Sequence, residues 1–277
     1  MGASLDRVRE KLSLASRRQT AHAEDIAYSL LGIFNVAMPV IYGEGTRVVG
    51  RLLEHVLTGS GDATILAWTG TANDYNSCLP RDLTVYGEVV PPHVPALMET
   101  AKLNRTVTEL RSSLPDLSLA TTLYDQLNKL PLPAMASGRL RLPGIVSRVT
   151  NLVHVSGPDP EMQAHIFSAK TVLFGDVEIK TTTSLIAMKK LYLVHPWIHP
   201  LLDQLEEVSH DVPEVDATTS ALRLLACLRQ PFGGLLVEKV SRVDHKRAAA
   251  DSLIMARIRE DVELSDLIGN ICVIDVR

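Results

Sequence analysis

The chain has 277 residues, 46% of them hydrophobic and only 4% aromatic, with 28 basic side chains against 32 acidic ones and a formal net charge of −4. That length accommodates one large domain or two ordinary ones, built around a core of Leu, Val, Ile and Ala rather than rings. An acidic balance without any Lys/Arg run longer than two residues excludes the electrostatic footprint of a nucleic-acid binder. Cys78, Cys227 and Cys272 are odd in number and far apart, so neither a disulfide framework nor a zinc site is expected. Reduced thiols in a cytoplasmic setting are the simplest reading. Charged residues at positions 6 to 11 replace the apolar run of a signal peptide, and Asp6 breaks the myristoylation pattern that Met1-Gly2 begins.

Leu5, Val8 and Leu12 recur at helical spacing behind Ser4, which predicts a first amphipathic helix over Leu5–Ala15. Thr20 is placed to cap a second helix, with Glu24 and Asp25 in its first turns, where the positive end of the helix dipole favours carboxylates. Ile26, Leu30, Ile33 and Phe34 line one face of that helix and Leu31 widens it. No charge falls between Asp25 and Glu44, so the stretch reads as a buried helix followed by a buried turn. It approaches the length of a membrane helix, but Gly32, Asn35 and Pro39 interrupt it, and no membrane span is expected.

Gly43-Glu44-Gly45 predicts a turn at positive φ, and Thr46 a cap for a third helix with the stripe Val48, Val49, Leu52, Leu53, Val56 and Leu57. Gly50 reads as a weak point in that helix, which stops at Thr58–Gly61. Beyond Asp62 short strands are expected, the first over Ala63–Thr69, with Val89–Pro95 as a connector and helices over Val107–Ser113 and Leu117–Leu127. Runs rich in Val, Ile, Leu and Thr then predict strands at Arg139–Val155, Ala164–Lys180, Ala221–Leu228, Gly234–Val240 and Asn270–Val276. The acidic Glu206–Thr219 reads as a surface loop. The class expected is α+β: a helical segment over 1–61, then an antiparallel, sandwich-like β-rich domain over 62–277.

Few constellations suggest chemistry. Gly43-Glu44-Gly45 before a helix invites comparison with a phosphate-binding turn, but Val48 stands where the third glycine belongs and Glu44 places a negative charge in the cradle. Glu24 and Asp25 are adjacent carboxylates that point apart on a helix, so they read as capping and ion-pairing groups, with Arg17 and Arg18 within reach. His195 and His199 bracket a run whose prolines oppose a helix, which favours a proline-shaped loop anchored by Trp197. No catalytic, cofactor-binding or metal-ligating residue is assigned, and no cofactor is expected.

The segment from Ala15 to Gly45, with the following Arg-Leu helix and Trp68, resembles the region that follows the HET core in fungal heterokaryon (vegetative) incompatibility proteins, of the mushroom type. The match runs through Arg18, Thr20, Glu24, Asp25, Tyr28, Gly32, Phe34, Met38, Pro39, Tyr42, Gly43, Glu44, Gly45, Arg51 and Trp68. Weaker similarity continues through the YNSCLPRDLTVY, RLRLPGI and RLLACLRQPFGG runs. The TIR-like HET core, linked in some members to NAD cleavage, has no counterpart here, so none of its catalytic residues carry over. The resemblance implies a non-enzymatic accessory or regulatory module with a protein partner, such as a HET core, and assigns structural or docking roles to the matched residues. It leaves an alternative, part of a NAD-cleaving cell-death enzyme completed by an upstream or partner core.

Overall fold

The computed structural model describes residues 6–17, 23–87, 100–156, 164–199, 201, 216–251 and 253–277. Arg18 and Thr20, the connector Val89–Pro95 and residues 206–215 of the acidic loop lie outside the described residues. The chain is α+β, with helices first and then a nine-stranded sheet.

The helical part contains α1 (Asp6–Ser16), α2 (Ala23–Ser29), α3 (Leu31–Phe34) and α4 (Arg47–Ser60). In α4 the whole predicted stripe is buried. Thr46 occupies the N-cap position without a side-chain cap bond, and Gly61 closes the other end at φ 66°. Gly50, expected as a weak point, is a point of close approach: an added Cβ would lie 3.2 Å from Asn73 Oδ1 and Tyr75 Cβ.

The expectation that 24–45 is buried throughout is corrected. The helix breaks at Leu30, α3 contains no buried side chain and ends on Asn35 at φ 53°. Ile33 is 39% exposed, Val40 56%, Ile41 47% and Tyr42 67%. The break and the proline leave only short pieces, so Ala27, Leu30 and Met38 reach the core and the other apolar side chains are left half-buried or at the surface.

Ala63–Leu66 forms a 3₁₀ turn, not the expected strand, because Asp62 Oδ1 accepts from the Thr64 amide at 2.9 Å and starts a helical turn. Next come α5 (Thr100–Ser113), which begins seven residues before the expected Val107, and α6 (Leu117–Asn128), close to prediction. A second correction falls at Ala221–Leu228, which belongs to the helix α7 (Ala217–Leu228). Asp216 caps it through the Thr219 amide at 2.7 Å, and its Ala, Leu and Arg residues are good helix formers. Every residue from Ala221 to Leu228 is buried, so no polar face betrays the helical period. Positions 217–219, assigned to the loop, are part of this helix.

The strands are β1 (Ala134–Ala136), β2 (Arg139–Ser156), β3 (His165–Thr171), β4 (Gly175–Thr181), β5 (Leu191–Pro196), β6 (Phe232–Lys239), β7 (Asp244–Arg247), β8 (Ile254–Ala256) and β9 (Ile271–Val276). A short helix, α8 (Leu264–Gly269), precedes β9. The first half of the 18-residue β2 pairs with β9 on one edge and β5 on the other, and its second half pairs with β3. Pairings run β2–β5–β6–β7–β9 and return to β2, so the sheet curls into a closed circuit with the β3–β4 hairpin as its extension. It is one hydrogen-bonded unit with a core on each face, in place of two stacked sheets, and β7–β9 is its parallel pair. Gly144 permits the closure, since an added Cβ there would stand 2.5 Å from the His195 carbonyl oxygen on β5.

Alternation along the strands divides the interior. Ile145, Leu193 and Leu236 face a core shared with α5, α6, α7 and α8, whereas Val146, Val194, Leu235 and Val237 face a core shared with α1, α2 and α4. The second core is continuous from Leu12 through Trp68 and Tyr86 to Val276, so the helical part and the sheet bury their apolar surfaces against each other.

Candidate functional site

Of the motif residues that the structure describes, Glu24, Asp25, Tyr28, Pro39, Tyr42 and Arg51 come together around the turn at Gly43-Glu44-Gly45. The two glycines lie at φ 92° and 57°, where a side chain would be strained. This conformation turns both amides toward the buried Glu24 on α2, whose Oε1 accepts from Gly43 N at 3.2 Å and Gly45 N at 3.0 Å. The turn therefore binds an anion, but that anion is the protein's own carboxylate.

A second clasp comes from α4. Arg51 Nη1 donates to Glu44 Oε1 and Oε2 at 2.7 and 2.6 Å, and its Nη2 donates to the Pro39 carbonyl at 2.9 Å. The pair is only about one-fifth exposed, which makes it stronger than an open surface bridge. Tyr28 supplies a third: its hydroxyl donates to the Ile41 carbonyl at 2.6 Å and accepts from the Ile41 amide at 2.7 Å. Its ring meets Tyr42 edge to face at 5.7 Å, and the Tyr42 hydroxyl lies 3.5 Å from Asp25 Oδ1, the long limit of a hydrogen bond. Met38 is buried, Phe34 is half-buried beneath the Lys11 ammonium at 5.5 Å, and Lys11 Nζ donates to the Ile33 carbonyl at 3.2 Å. Gly32 is exposed, with open space where a Cβ would stand.

Trp68 lies apart from this clasp, fully buried, with Nε1 donating to the Cys78 carbonyl at 2.8 Å. Its ring carries the Arg247 guanidinium at 4.1 Å, and Arg247 donates to the Leu66 and Trp68 carbonyls at 3.0 and 2.7 Å. Arg9 from α1 caps the same turn, donating to the Thr64 and Ala67 carbonyls beside Tyr86. Burial pulls Arg247 down to about 10 and also lowers Arg9, so both guanidiniums hold carbonyls at an electrostatic cost. Sequence reasoning did not find Arg9 or Arg247. Arg247 is 179 residues from the Trp68 carbonyl it holds, and no spacing rule reaches that far.

Elsewhere the groups that could do chemistry are muted. Burial pushes the thiols of Cys78 and Cys227 up to about 12 and about 11, so neither presents a thiolate. His195, at the end of β5, is brought down to about 4 by burial against Phe232, with its ring centroid 3.9 Å from the phenyl. Trp197 is buried and its amide donates to the Pro143 carbonyl, so HPWIH begins as strand and leaves it as an anchored loop. His154 and His165 meet across β2 and β3 at 3.1 Å. Among the described residues no three His, Cys, Asp or Glu side chains converge at metal-binding distance. Nor, among those residues, is any helix long and apolar enough to cross a membrane.

No family model matches the chain, and no solved structure matches it. A 68-residue segment, 24% of the chain, is 38% identical to the vegetative incompatibility protein HET-E-1 of Podospora anserina. That segment spans 5% of the relative's own length, so the similarity joins this chain to a vegetative incompatibility protein over about a quarter of its residues.

Proposed function

We propose that the chain is a non-catalytic interaction module of a heterokaryon-incompatibility system, and that the surface of its motif segment docks a HET core domain. The observation that carries this reading is the exposure of Ile33, Val40, Ile41 and Tyr42 on a backbone that Glu24, Tyr28 and Arg51 hold fixed. Apolar side chains left in water on a clamped loop are pre-organised for a partner, since little conformational freedom remains to be lost on binding. Leu14 of α1, 68% exposed and one turn beyond Lys11, adds a further apolar side chain on the helix that touches α3 through Lys11. The segment resembles the one that directly follows the HET core, which makes that core the occupant with the nearest claim.

The reading is tested by titrating an isolated HET core with the purified chain and with Ile41→Asp and Tyr42→Ser. Saturable binding by the parent chain, weakened roughly tenfold or more by each substitution at unchanged thermal midpoint, is expected. Binding that ignores both substitutions contradicts the docking face. Nicotinamide release from NAD by the chain alone contradicts the non-catalytic role.

A further inference from the structure

A second surface lies away from the motif, where the β4–β5 connection (182–190) meets the β6–β7 turn (240–243). The two loops are tied together by the Lys239 amide, which donates to the Lys190 carbonyl at 2.9 Å. Lys189, Lys190, Lys239 and Arg242 line one shallow groove between them. Positions 182–190 and 239–243 hold these four cations and no acid, in a chain whose net charge is −4. None of the four forms an ion pair among the described residues. The neighbouring Asp244 is already engaged, by Arg139 at 2.7 Å and the Ser241 hydroxyl at 3.1 Å, and Glu238 is the single acid in the groove.

The tips of the same loops carry aliphatic side chains in water: Ile186 is 69% exposed, Val243 58% and Val240 42%. They sit on ordered turns. Met188 N donates to the Leu185 carbonyl at 3.1 Å beneath Ile186, and the Val240 and Ser241 amides both donate to the Asp244 carbonyl beneath the other tip. We infer that these two loops dock the chain onto an anionic phospholipid surface, with the cations at the headgroups and Ile186, Val240 and Val243 entering the interface. A polyanion in water would satisfy the lysines and leave the aliphatic tips wet, whereas a lipid surface satisfies both. The groove has no aromatic side chain on which a nucleic-acid base could stack. Such surface attachment needs no membrane-spanning helix.

The test is flotation of the full chain with vesicles of phosphatidylcholine alone and of phosphatidylcholine with phosphatidylserine. Binding only to the anionic vesicles is expected, weakening as salt rises. Lys189→Gln with Lys190→Gln should weaken it roughly thirtyfold, about fivefold for each cation. Ile186→Ser with Val243→Ser should weaken it roughly tenfold at unchanged far-UV circular dichroism. Lys239→Gln with Arg242→Gln gives an independent check should the first pair fail to fold. Failure to bind anionic vesicles overturns the inference. So does lipid binding indifferent to the serine pair, or capture of DNA or an acidic peptide in place of vesicles. The substituted residues are separate from the motif face, so this result and the HET-core titration succeed or fail independently.

Discussion

Two stretches look alike in the sequence and end in opposite places. Positions 24–45 are uncharged for most of their length, and positions 217–228 are interrupted only by Arg223. The second forms α7, buried completely from Ala221 onward and held by packing between the sheet and α5 and α6. The first breaks at Leu30 and at Asn35, leaves four large apolar side chains in water, and is held by hydrogen bonds between Glu24, Tyr28 and Arg51 and its own backbone. Apolar composition therefore sets how much surface could be buried, while the local breaks decide how much is. Helix continuity gives α7 eight successive buried residues, and its absence gives the motif a face.

The comparison can be broken by substitution. Leu225→Ala, at a fully buried site in α7, should cost roughly 4 kcal/mol by chemical denaturation. A loss under about 1 kcal/mol would mean that α7 is not the packed element described. The buried side also carries a pH lever. His195 titrates near 4 in the folded chain against 6.5 when unfolded, so between those values the unfolded chain takes up a proton that the folded chain refuses. Stability is complete above about 6.5, falls by up to about 3 kcal/mol as pH drops toward 4, and His195→Gln should flatten that slope.

Effects on the motif side should be smaller and local. Glu24→Ala removes the acceptor of both turn amides and should cost about 2 kcal/mol, with faster hydrogen exchange at Gly43 and Gly45. Tyr42→Ser removes a ring that is 67% exposed and should change stability by less than about 0.5 kcal/mol. A large loss from Tyr42→Ser would mean that the ring supports the fold, and the docking face would lose its clearest member.

Local signals were legible. Asn35 at φ 53°, the glycines of the turn and the α4 stripe all follow from residue type and spacing. What stayed hidden depends on distant partners. Ala63–Leu66 and Ala221–Leu228 are buried on all sides, so neither period shows, and their caps, Asp62 and Asp216, were the signals that could have identified them as helical. The role of Glu24 required the turn to fold back across nineteen positions onto α2, and Arg247 reaches Trp68 only because the sheet that carries β7 packs against the segment that carries the 3₁₀ turn. The strand at Leu191–Pro196 opens with the apolar Leu-Tyr-Leu-Val but runs into the prolines that marked His195–His199 as a loop, and Asp244–Arg247 consists of four polar or charged residues without a strand pattern.

The most direct test of the docking account is hydrogen exchange of the chain, free and with a HET core bound. The free chain should show the Gly43 and Gly45 amides protected by Glu24, and binding should add protection across residues 31–42 while leaving α7 unchanged. New protection confined to other surfaces, with 31–42 exchanging as in the free chain, would contradict it.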